Sequence, residues 1–298
     1  MKSMESQLGT KNVLIAGATG YLGSHIASAL VLQGWHVIVV SRSARSKVNN
    51  ENYTYFDADH MEDAFRKLGE ISLVVNCVGQ YSGLGVSSAS LNSANVLFPT
   101  MLLRLALKYK VGSFLNLATS LAPDVNEYAQ TKYEFLKLAE SMLKGKLIKF
   151  INLKCAYVYG AGDQTEKLSS YVIASCLASA EEIKISNGDQ EIDFLHVDDF
   201  TCAVMAIIKS INNIDYGFSE VGVGSGEMTS VRSFVELVRR ITGSKSAIVV
   251  SRPTDRLVSL SSYRLDLSFL GSLNWKCEYL LVSGIRQVLK VEKSLLSL

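Results

Sequence analysis

A short apolar run that ends in a glycine-rich turn restricts the fold of this chain more than any other stretch. Val13–Ala16 is typical of a buried strand, Gly17–Gly23 follows with the spacing G-x-x-G-x-x-G, and a helical pattern begins within the turn. Such glycines allow a tight turn and let the backbone approach a pyrophosphate at the helix N-terminus. A plain strand-to-helix turn is the alternative, but this placement favours a dinucleotide site. The residues expected to contact the cofactor are Gly17, Thr19, Gly20, Tyr21, Leu22 and Gly23.

The alternation of strand and helix continues through the first half of the chain. Short β-branched runs predict strands near 13–16, 35–40, 53–56, 71–78, 113–118 and 147–153. Strands that are apolar on both faces and alternate with helices indicate a parallel sheet covered on both sides. We therefore expect an α/β fold, a doubly wound parallel sheet of the Rossmann type with a smaller C-terminal substrate domain. The predicted dinucleotide-binding domain is 1–156 with 196–222 returning to it, and the substrate-binding domain is 157–195 and 223–298.

Composition and charge argue against several other classes of protein. The chain has 298 residues, 48% hydrophobic and 19% charged, which predicts a globular protein. A net charge of +2, without a dense Lys/Arg stripe, argues against nucleic acid as a partner. The five cysteines have neither metal-ligand spacing nor a disulfide pattern, so we expect no metal and a reducing, cytoplasmic setting. We find neither a signal peptide nor a run of ~18 apolar residues, so we expect no membrane association.

The end of the second predicted strand bears on the choice of cofactor. Dinucleotide folds that prefer NAD usually place an acid there for the ribose 2′-hydroxyl. Here the strand ends in Ser41-Arg42, and Arg42 can hold a 2′-phosphate, which favours NADP(H) over NAD. A solvated loop arginine is the alternative. Asp59, after the third strand, is placed to reach the adenine ring, and Val78 ends the fourth strand beside the cofactor.

Thr119, Tyr128 and Lys132 are the candidate catalytic residues. Tyr128 and Lys132 are four apart on a predicted helix, 127–144, so their side chains share a face. A Lys ammonium beside a phenol favours the phenolate and suits the tyrosine to proton transfer near neutral pH. Thr119, at the end of the fifth strand, can bind the same substrate oxygen. Alone, such a pair occurs by chance, but beside a cofactor turn it indicates an acid/base that works with hydride from a nicotinamide.

Further motifs follow along the chain. Asn95 opens a long helix, 91–110, that is apolar nearly all round. Val158–Asp163 resembles the pattern V-Y-G-P-G-D, Asp193–Asp199 resembles D-F-x-x-V-D-D, and Leu273–Trp275 resembles L-G-W. With the glycine turn and Tyr128-x-x-x-Lys132, these motifs resemble, in order and over nearly the whole chain, the extended short-chain dehydrogenases/reductases, the NAD-dependent epimerase/dehydratase family.

The resemblance implies roles for the candidate residues. Tyr128 would be the acid/base, Lys132 would orient the nicotinamide ribose and tune Tyr128, and Thr119 would bind the substrate oxygen. Asn95, Tyr128 and Lys132 would also belong to the cofactor site. Most members act on nucleotide-activated sugars, and many form homodimers through the helices expected here at 91–110 and 127–144.

The residues after Thr119 narrow the reaction within that resemblance. The 4,6-dehydratases carry Asp-Glu there and the 3,5-epimerase-reductases carry a Cys two residues on, whereas this chain has Ser120-Leu121. A ketoreductase or a 4-epimerase remains, and Arg42 favours the reductase. Asn95-x-x-x-Pro99 and Asp163-x-x-x-Lys167 resemble the CDP-sugar 4-ketoreductases of the abequose synthase type, which make a deoxyhexose for bacterial surface polysaccharide.

One departure from the pattern concerns the substrate diphosphate. Ile192 stands where the family usually has an Arg that can hold it. Lysine and arginine elsewhere can supply such a charge, and aromatic rings can stack on a sugar or base, although surface cations and rim aromatics are the simpler alternative for each. The candidate substrate residues are Tyr81, Thr119, Tyr157, Lys167, Arg252 and Arg256.

These observations predict NADPH-dependent reduction of the C4 ketone of a nucleotide-linked 4-keto-6-deoxyhexose. The alternatives are an NAD-dependent nucleotide-sugar 4-epimerase, a reductase of a non-nucleotide carbonyl compound, and a catalytically silent dinucleotide-binding sensor. The sensor is disfavoured because both Tyr128 and Lys132 are present.

Overall fold

The computed structural model describes residues 11–83, 85–186, 188–250 and 264–296. The chain divides into two compact units. The first unit runs to Lys154 and includes Val204–Val221, and the second comprises Cys155–Ala203 and the chain from Gly222 onward. The boundaries between the units thus fall at 154/155, 203/204 and 221/222. The boundaries expected from the sequence are 156/157, 195/196 and 222/223. The assignment of cofactor and substrate to the two parts stays a prediction.

Strands and helices alternate through the first part of the chain. The strands are β1 (Lys11–Ala16), β2 (Trp35–Ser41), β3 (Tyr53–Asp57), β4 (Ile71–Asn76), β5 (Ser113–Thr119) and β6 (Lys149–Cys155). The helices are α1 (Tyr21–Val31), α2 (Met61–Lys67), α3 (Ser88–Asn92), α4 (Phe98–Lys108) and α5 (Glu127–Leu143).

The later elements are shorter and more mixed. In chain order they are β7 (Tyr157–Tyr159), α6 (Leu168–Leu177), β8 (Glu182–Ile185), β9 (Glu191–His196), α7 (Val197–Lys209), β10 (Gly217–Val223), β11 (Met228–Ser230), α8 (Val231–Thr242), β12 (Ala247–Val250), α9 (Ser268–Ser272) and α10 (Leu281–Leu296).

The main sheet has seven strands in the order β10-β6-β5-β4-β1-β2-β3. The pairs β1–β2, β1–β4, β2–β3 and β4–β5 are parallel. The strand order reverses between β1 and β4, and ligands of open α/β sheets bind at the carboxyl ends of the strands at such a point. The predicted α/β fold with a Rossmann-type sheet is confirmed.

One face of this sheet carries the core beneath α4 and α5. Val74, Phe114 and Phe150 lie on that face and are fully buried with Leu103 of α4 and Phe135 of α5. Burying each such side chain contributes about 1.5–3 kcal/mol. This packing fixes α5, the helix that carries Tyr128 and Lys132, on the sheet.

The helix expected at 91–110 is interrupted. Between α3 and α4 the chain makes a π-helical segment, Ser93–Leu97, and Pro99 is the second residue of α4. A proline ring clashes with the carbonyl four residues before it, here that of Asn95, and a widened turn relieves the clash. The sequence pattern predicted a helix here but not this interruption, which contains Asn95.

Helix α4 is not buried all round within this chain. Within this chain it is buried on one face only, and Leu97 and Met101 are 60% and 48% exposed. Arg104 and Lys108 continue the exposed stripe towards the C-terminal end.

The second unit has two smaller sheets, β11-β9-β7 and β12-β8. Its core gathers Tyr159, Phe194, Phe234 and Ile285. In the parts of the chain described, no helix is long and apolar enough to cross a membrane. The same residues hold no cluster of three or more His, Cys, Asp or Glu side chains suited to a metal ion.

Candidate active site

The glycine turn lies where β1 meets β4. Gly17 has φ +82°, and a Cβ there would lie 3.1 Å from the backbone of Cys77 and Val78. A Cβ on Gly23 would overlap the Gly17 carbonyl group. Helix α1 begins directly after Gly20 and no side chain caps it, so its first N–H groups point from a bare backbone. This cradle fits the pyrophosphate of a dinucleotide, because anions bind at helix N-termini that they can approach closely.

A hydroxyl cluster follows at the end of β2. The Ser41 Oγ lies 3.1 Å from the Thr19 Oγ1 and 3.0 Å from the Ser43 Oγ, and it accepts a bond from the Ser43 N–H. Ser41 is buried, whereas Arg42 is exposed. The cluster joins the end of β2 to the glycine turn and leaves the arginine side chain at the surface.

Asp59 lies in a short 3₁₀ turn, Ala58–His60, directly after β3. Its N–H donates to the Asp57 Oδ1 at 3.0 Å, so Asp57 caps the turn. The Asp59 side chain is exposed. Asp59 therefore lies directly after the third strand, as predicted, at the edge formed by the carboxyl ends of the strands.

Lys132 is buried, with 5% of its surface exposed. Its ammonium donates to the carbonyl oxygens of Val78 at 2.9 Å and Leu117 at 3.2 Å. Val78 follows β4 and Leu117 lies in β5, so this one side chain ties α5 to the ends of two strands. Gly79 makes room for it, since a Cβ at Gly79 would lie 3.1 Å from the Lys132 Nζ.

Tyr128 is the second residue of α5 and is 7% exposed. The Asn126 Oδ1 caps this helix by accepting a hydrogen bond from the Ala129 N–H at 2.8 Å. The Tyr81 ring lies against that of Tyr128, with centroids 4.6 Å apart. Tyr81 itself is 49% exposed, so it forms an outer layer over the candidate acid/base.

Asn95 is fully buried and connects three segments. Its Oδ1 accepts from the Gln80 N–H at 2.8 Å, and its Nδ2 donates to the Gln80 carbonyl at 2.9 Å and the Thr131 Oγ1 at 3.0 Å. The Thr131 hydroxyl in turn donates to the Tyr128 carbonyl at 2.9 Å. In this structure Asn95 therefore holds the segment after β4 against the first turn of α5.

Thr119 is the last residue of β5, two residues beyond the Leu117 carbonyl that binds Lys132. Its Oγ1 accepts a hydrogen bond from the Leu121 N–H at 3.2 Å. The structure thus brings Tyr128, Lys132 and the β5 end that carries Thr119 to the same edge of the sheet as the glycine turn. Neither Ser120 nor Leu121 carries a group that titrates near neutral pH.

The other substrate candidates lie in the second unit or outside the described residues. Lys167 pairs with Asp163 at 2.8 Å, and the Asp163 side chain is almost completely buried. The Tyr157 hydroxyl accepts a bond from the Ser169 N–H at 3.2 Å, and burial raises the pKa of this phenol. Both groups therefore have structural partners within their own unit. Arg252 and Arg256 lie outside the residues that the structure describes.

Several residues at this edge make contacts that the sequence analysis did not predict. Gly79, Gln80 and Thr131 all contact the candidate residues through their backbone or side chains. Gly79 directly follows the fourth predicted strand, and a glycine there signals a close approach of another group. Gln80 and Thr131 carry no pattern of their own, because their role depends on Asn95, which is distant in sequence.

Comparison with known proteins agrees with this geometry. The chain is 26% identical over 291 residues to a CDP-abequose synthase of Salmonella muenchen, an alignment that covers 95% of this chain and 98% of the relative. It is 24% identical to a putative UDP-glucose 4-epimerase of Methanocaldococcus jannaschii, over 95% of this chain and 98% of that protein. The crystal structure of a UDP-glucose 4-epimerase of Thermotoga maritima with UDP-glucose superposes with a TM-score of 0.83 at 24% identity, covering 96% and 99% of the two chains.

The family assignment comes from a match over residues 13–219, well over half of the chain. That segment contains the glycine turn, Thr119, Tyr128 and Lys132. Together with the Rossmann-type sheet and the cradle at its switch point, the match identifies an NAD(P)-dependent enzyme fold: the chain belongs to the NAD dependent epimerase/dehydratase family.

Proposed function

We propose that this protein reduces the C4 ketone of a nucleotide-linked 4-keto-6-deoxyhexose with NADPH. The observation that carries the proposal is the buried Tyr128–Lys132 pair at the carboxyl ends of β4 and β5, next to a cradle for a dinucleotide. One proton donor stands there without a second acid or base after Thr119, which suits simple carbonyl reduction.

Each part of the candidate site has a separate role in the proposed reduction. The glycine turn holds the pyrophosphate, and the dinucleotide, when bound, supplies the hydride. Thr119 donates a hydrogen bond to the ketone oxygen and orients it. Tyr128 gives that oxygen its proton, and the Lys132 ammonium stabilises the phenolate that remains. The Tyr81 ring covers Tyr128 and limits access of water to it.

One observation favours NADPH as the cofactor, and another favours a nucleotide sugar as the substrate. The exposed Arg42 and the hydroxyl cluster at the end of β2 suit a 2′-phosphate better than a free 2′-hydroxyl, which an acid would bind. The CDP-abequose synthase of Salmonella muenchen aligns over nearly the full length of both chains, which supports a nucleotide sugar as substrate.

The test is a screen of NADPH oxidation against CDP-, GDP-, dTDP- and UDP-linked 4-keto-6-deoxyhexoses. One of them should support steady turnover, and Tyr128→Phe should lower that turnover by about 100-fold or more while NADPH still binds. Undiminished turnover in Tyr128→Phe would overturn the mechanism. Absence of turnover with all four nucleotides would overturn the substrate class.

A 4-epimerase is the second candidate, favoured by the relative from Methanocaldococcus jannaschii. Such an enzyme returns the hydride it takes and keeps NAD bound. Protein purified without added cofactor would then release NAD on denaturation and interconvert nucleotide sugars without NADPH. A purified protein free of dinucleotide that consumes NADPH in step with substrate would exclude this candidate.

We further propose a homodimer formed through α4 and α5. The exposed stripe of Leu97 and Met101 supports it, because apolar side chains that continue a helix face are covered in most stable proteins. The shared helices would place α5, with Tyr128 and Lys132, beside the interface.

A further inference from the structure

A ladder of polar side chains, buried in three strands and exposed at the edge strand, crosses four adjacent strands of the main sheet. The Asn76 Nδ2 in β4 donates to the Asn116 Oδ1 in β5 at 2.8 Å, and the Asn116 Nδ2 donates to the Asn152 Oδ1 in β6 at 2.9 Å. The Asn152 Nδ2 donates to the Glu220 Oε2 in β10 at 3.2 Å. The three asparagines are fully buried, and Glu220 lies on the edge strand, where it pairs with Lys154 at 2.6 Å.

The ladder lies on the face of the sheet that packs against α5. Each rung residue comes two positions after a core residue, Asn76 after Val74 and Asn116 after Phe114, and side chains two apart in a strand share a face. A parallel row of stacked rings runs beside it, with Phe114, Phe150 and Phe218 centroids 5.3 and 5.6 Å apart. A hydrophobic row would have filled the same space, so the amide row calls for another explanation.

The two ends of the ladder dictate the orientation of every amide in it. An ionised carboxylate only accepts hydrogen bonds, so Glu220 must face an NH₂ group. The Asn152 oxygen then faces Asn116 in β5, and the Asn116 oxygen faces Asn76 in β4. At the other end the Asn76 Oδ1 accepts the Val78 N–H at 3.2 Å, and a backbone N–H only donates. Donor and acceptor therefore match at all four contacts in one direction alone.

Val78 is consequently held from both sides. Its N–H meets the ladder, and its carbonyl accepts the Lys132 ammonium at 2.9 Å. We propose that Glu220 is a positioning residue for the candidate active site: as the terminal acceptor it anchors the Asn152–Asn116–Asn76 ladder, which fixes Val78 and, through the Val78 carbonyl, Lys132. The kinetic part of this proposal rests on the proposed reduction, whereas the structural part does not.

The test compares Glu220→Leu with Glu220→Gln. Leucine removes the carboxylate that accepts from Asn152, so the last hydrogen bond of the ladder is lost and the row of amides becomes more mobile. Hydrogen exchange at the Val78 amide should then rise by about 5- to 10-fold in a ¹H–¹⁵N spectrum. Glutamine keeps an oxygen that can accept from Asn152, and the Val78 N–H still fixes the direction of the ladder, so exchange should stay at the wild-type rate. With the keto-sugar substrate, Glu220→Leu should lower kcat by about 10-fold with little change in KM, and Glu220→Gln should restore it.

Two matched controls separate positioning from general loss of stability. Lys154→Met removes the ion pair with Glu220 but leaves its carboxylate, and Phe218→Leu weakens the neighbouring row of rings on the same strand. Both should lower the melting temperature without changing exchange at Val78. Wild-type exchange in Glu220→Leu, or equal increases in Leu and Gln variants, would overturn the proposal.

A measurement on the unaltered protein decides the case if Glu220→Leu does not fold. The Asn76 oxygen, not its NH₂ group, should face Val78, so the nuclear Overhauser effect between the Val78 amide proton and the Asn76 NH₂ protons should be weak. A strong effect would show the reversed polarity and overturn the proposal. If no keto sugar is reduced, the proposed function fails, and the exchange and Overhauser measurements still decide the ladder.

Discussion

The ring of Tyr81 lies against the ring of Tyr128, with centroids 4.6 Å apart and planes tilted by 35°. The tilted contact is a favourable aromatic geometry, worth about 0.5–1.5 kcal/mol. It keeps the candidate acid/base at 7% exposure although the ring that covers it is half exposed. Removing the outer ring should therefore admit water to Tyr128 without disturbing the core.

We expect Tyr81→Ala to lower kcat/KM for the keto sugar by about 10-fold, because the phenol loses its cover and its fixed orientation. Tyr81→Phe keeps the ring and should stay within about 2-fold of the wild type. Steady-state kinetics on both variants provide the measurement. If Tyr81→Phe loses as much as Tyr81→Ala, the hydroxyl matters and the covering role is wrong.

Gly79→Ala should reduce activity strongly and stability only moderately. The new Cβ would lie 3.1 Å from the Lys132 Nζ and 3.3 Å from its Cε, the flexible end of a side chain that can move aside. The ammonium would then leave the Val78 and Leu117 carbonyls, and kcat should fall by about 10-fold or more, as for a misplaced catalytic group. The melting temperature should fall by a few degrees, because the buried ammonium loses two hydrogen bonds but the protein still folds.

Gly23→Ala is the contrasting variant. Its Cβ would meet the Gly17 carbonyl, which is backbone and cannot move without distorting the turn. It should lose NADPH binding and stability together, measured by fluorescence titration and thermal unfolding. Equal behaviour of the two variants would contradict the distinction drawn between them.

Arg42→Ala should change the preference between the two dinucleotides. If the exposed guanidinium pairs with a 2′-phosphate, its removal should raise the Kd for NADPH by about 10-fold or more and leave that for NADH nearly unchanged. Binding titrations with both cofactors measure this directly. An unchanged Kd for NADPH would show that Arg42 is a solvated loop residue, and equal increases for both cofactors would show that it does not recognise the 2′-phosphate.

A charge on the exposed stripe of α4 should separate the proposed dimer. Met101→Glu puts a carboxylate where we expect an apolar contact, so the mass in solution should fall from dimer to monomer. Leu32→Glu is a matched control, since Leu32 is an exposed leucine away from α4. Light scattering on the two variants and the wild type provides the measurement, and a monomeric wild type would exclude the dimer.

Cys277 predicts a pH dependence of stability. Burial, together with the carboxylates of Asp199 and Asp193, raises the pKa of this thiol from 9.0 to about 12. In the unfolded chain the thiol ionises once the pH exceeds its ordinary pKa of 9.0. In the folded protein it stays neutral until the pH approaches about 12. The stabilisation is therefore complete below pH 9.0 and is lost as the pH rises towards about 12.

Cys277→Ser keeps a hydroxyl donor for Asp199 but does not titrate in this range. The fall in melting temperature between about pH 8 and about pH 10.5 should thus be smaller in Cys277→Ser than in the wild type. Thermal unfolding at both pH values measures it. An identical fall in both proteins would show that the thiol does not contribute.

Much of the fold was predictable because its signals are local. Val13–Ala16 and the glycines after it specify a strand, a turn and a helix within a dozen residues, and the β-branched runs specify buried strands. The spacing Asn95-x-x-x-Pro99 is also visible in the sequence. It predicts a motif but not the π-helical segment that comes just before Pro99.

The contacts of the candidate site were less predictable. Lys167 is a candidate for phosphate binding from the sequence, and the folded chain pairs it with the buried Asp163, four residues earlier. Tyr157 is a candidate for stacking on a substrate, and in the folded chain its hydroxyl accepts a hydrogen bond from the Ser169 N–H near the start of α6. In both cases the side chain is polar and well positioned, and only packing reveals which partner it meets.

The sequence by itself determined the elements of this protein and the chemistry that each strand end carries: the turn at Gly17–Gly23 and the Tyr128–Lys132 spacing. Tertiary structure alone decided which of those ends meet. Lys132 binds Val78 across 54 positions and Asn152 binds Glu220 across 68. The physical reason is that helix and strand patterns depend on residues a few positions apart, whereas these hydrogen bonds depend on the order of strands in the sheet.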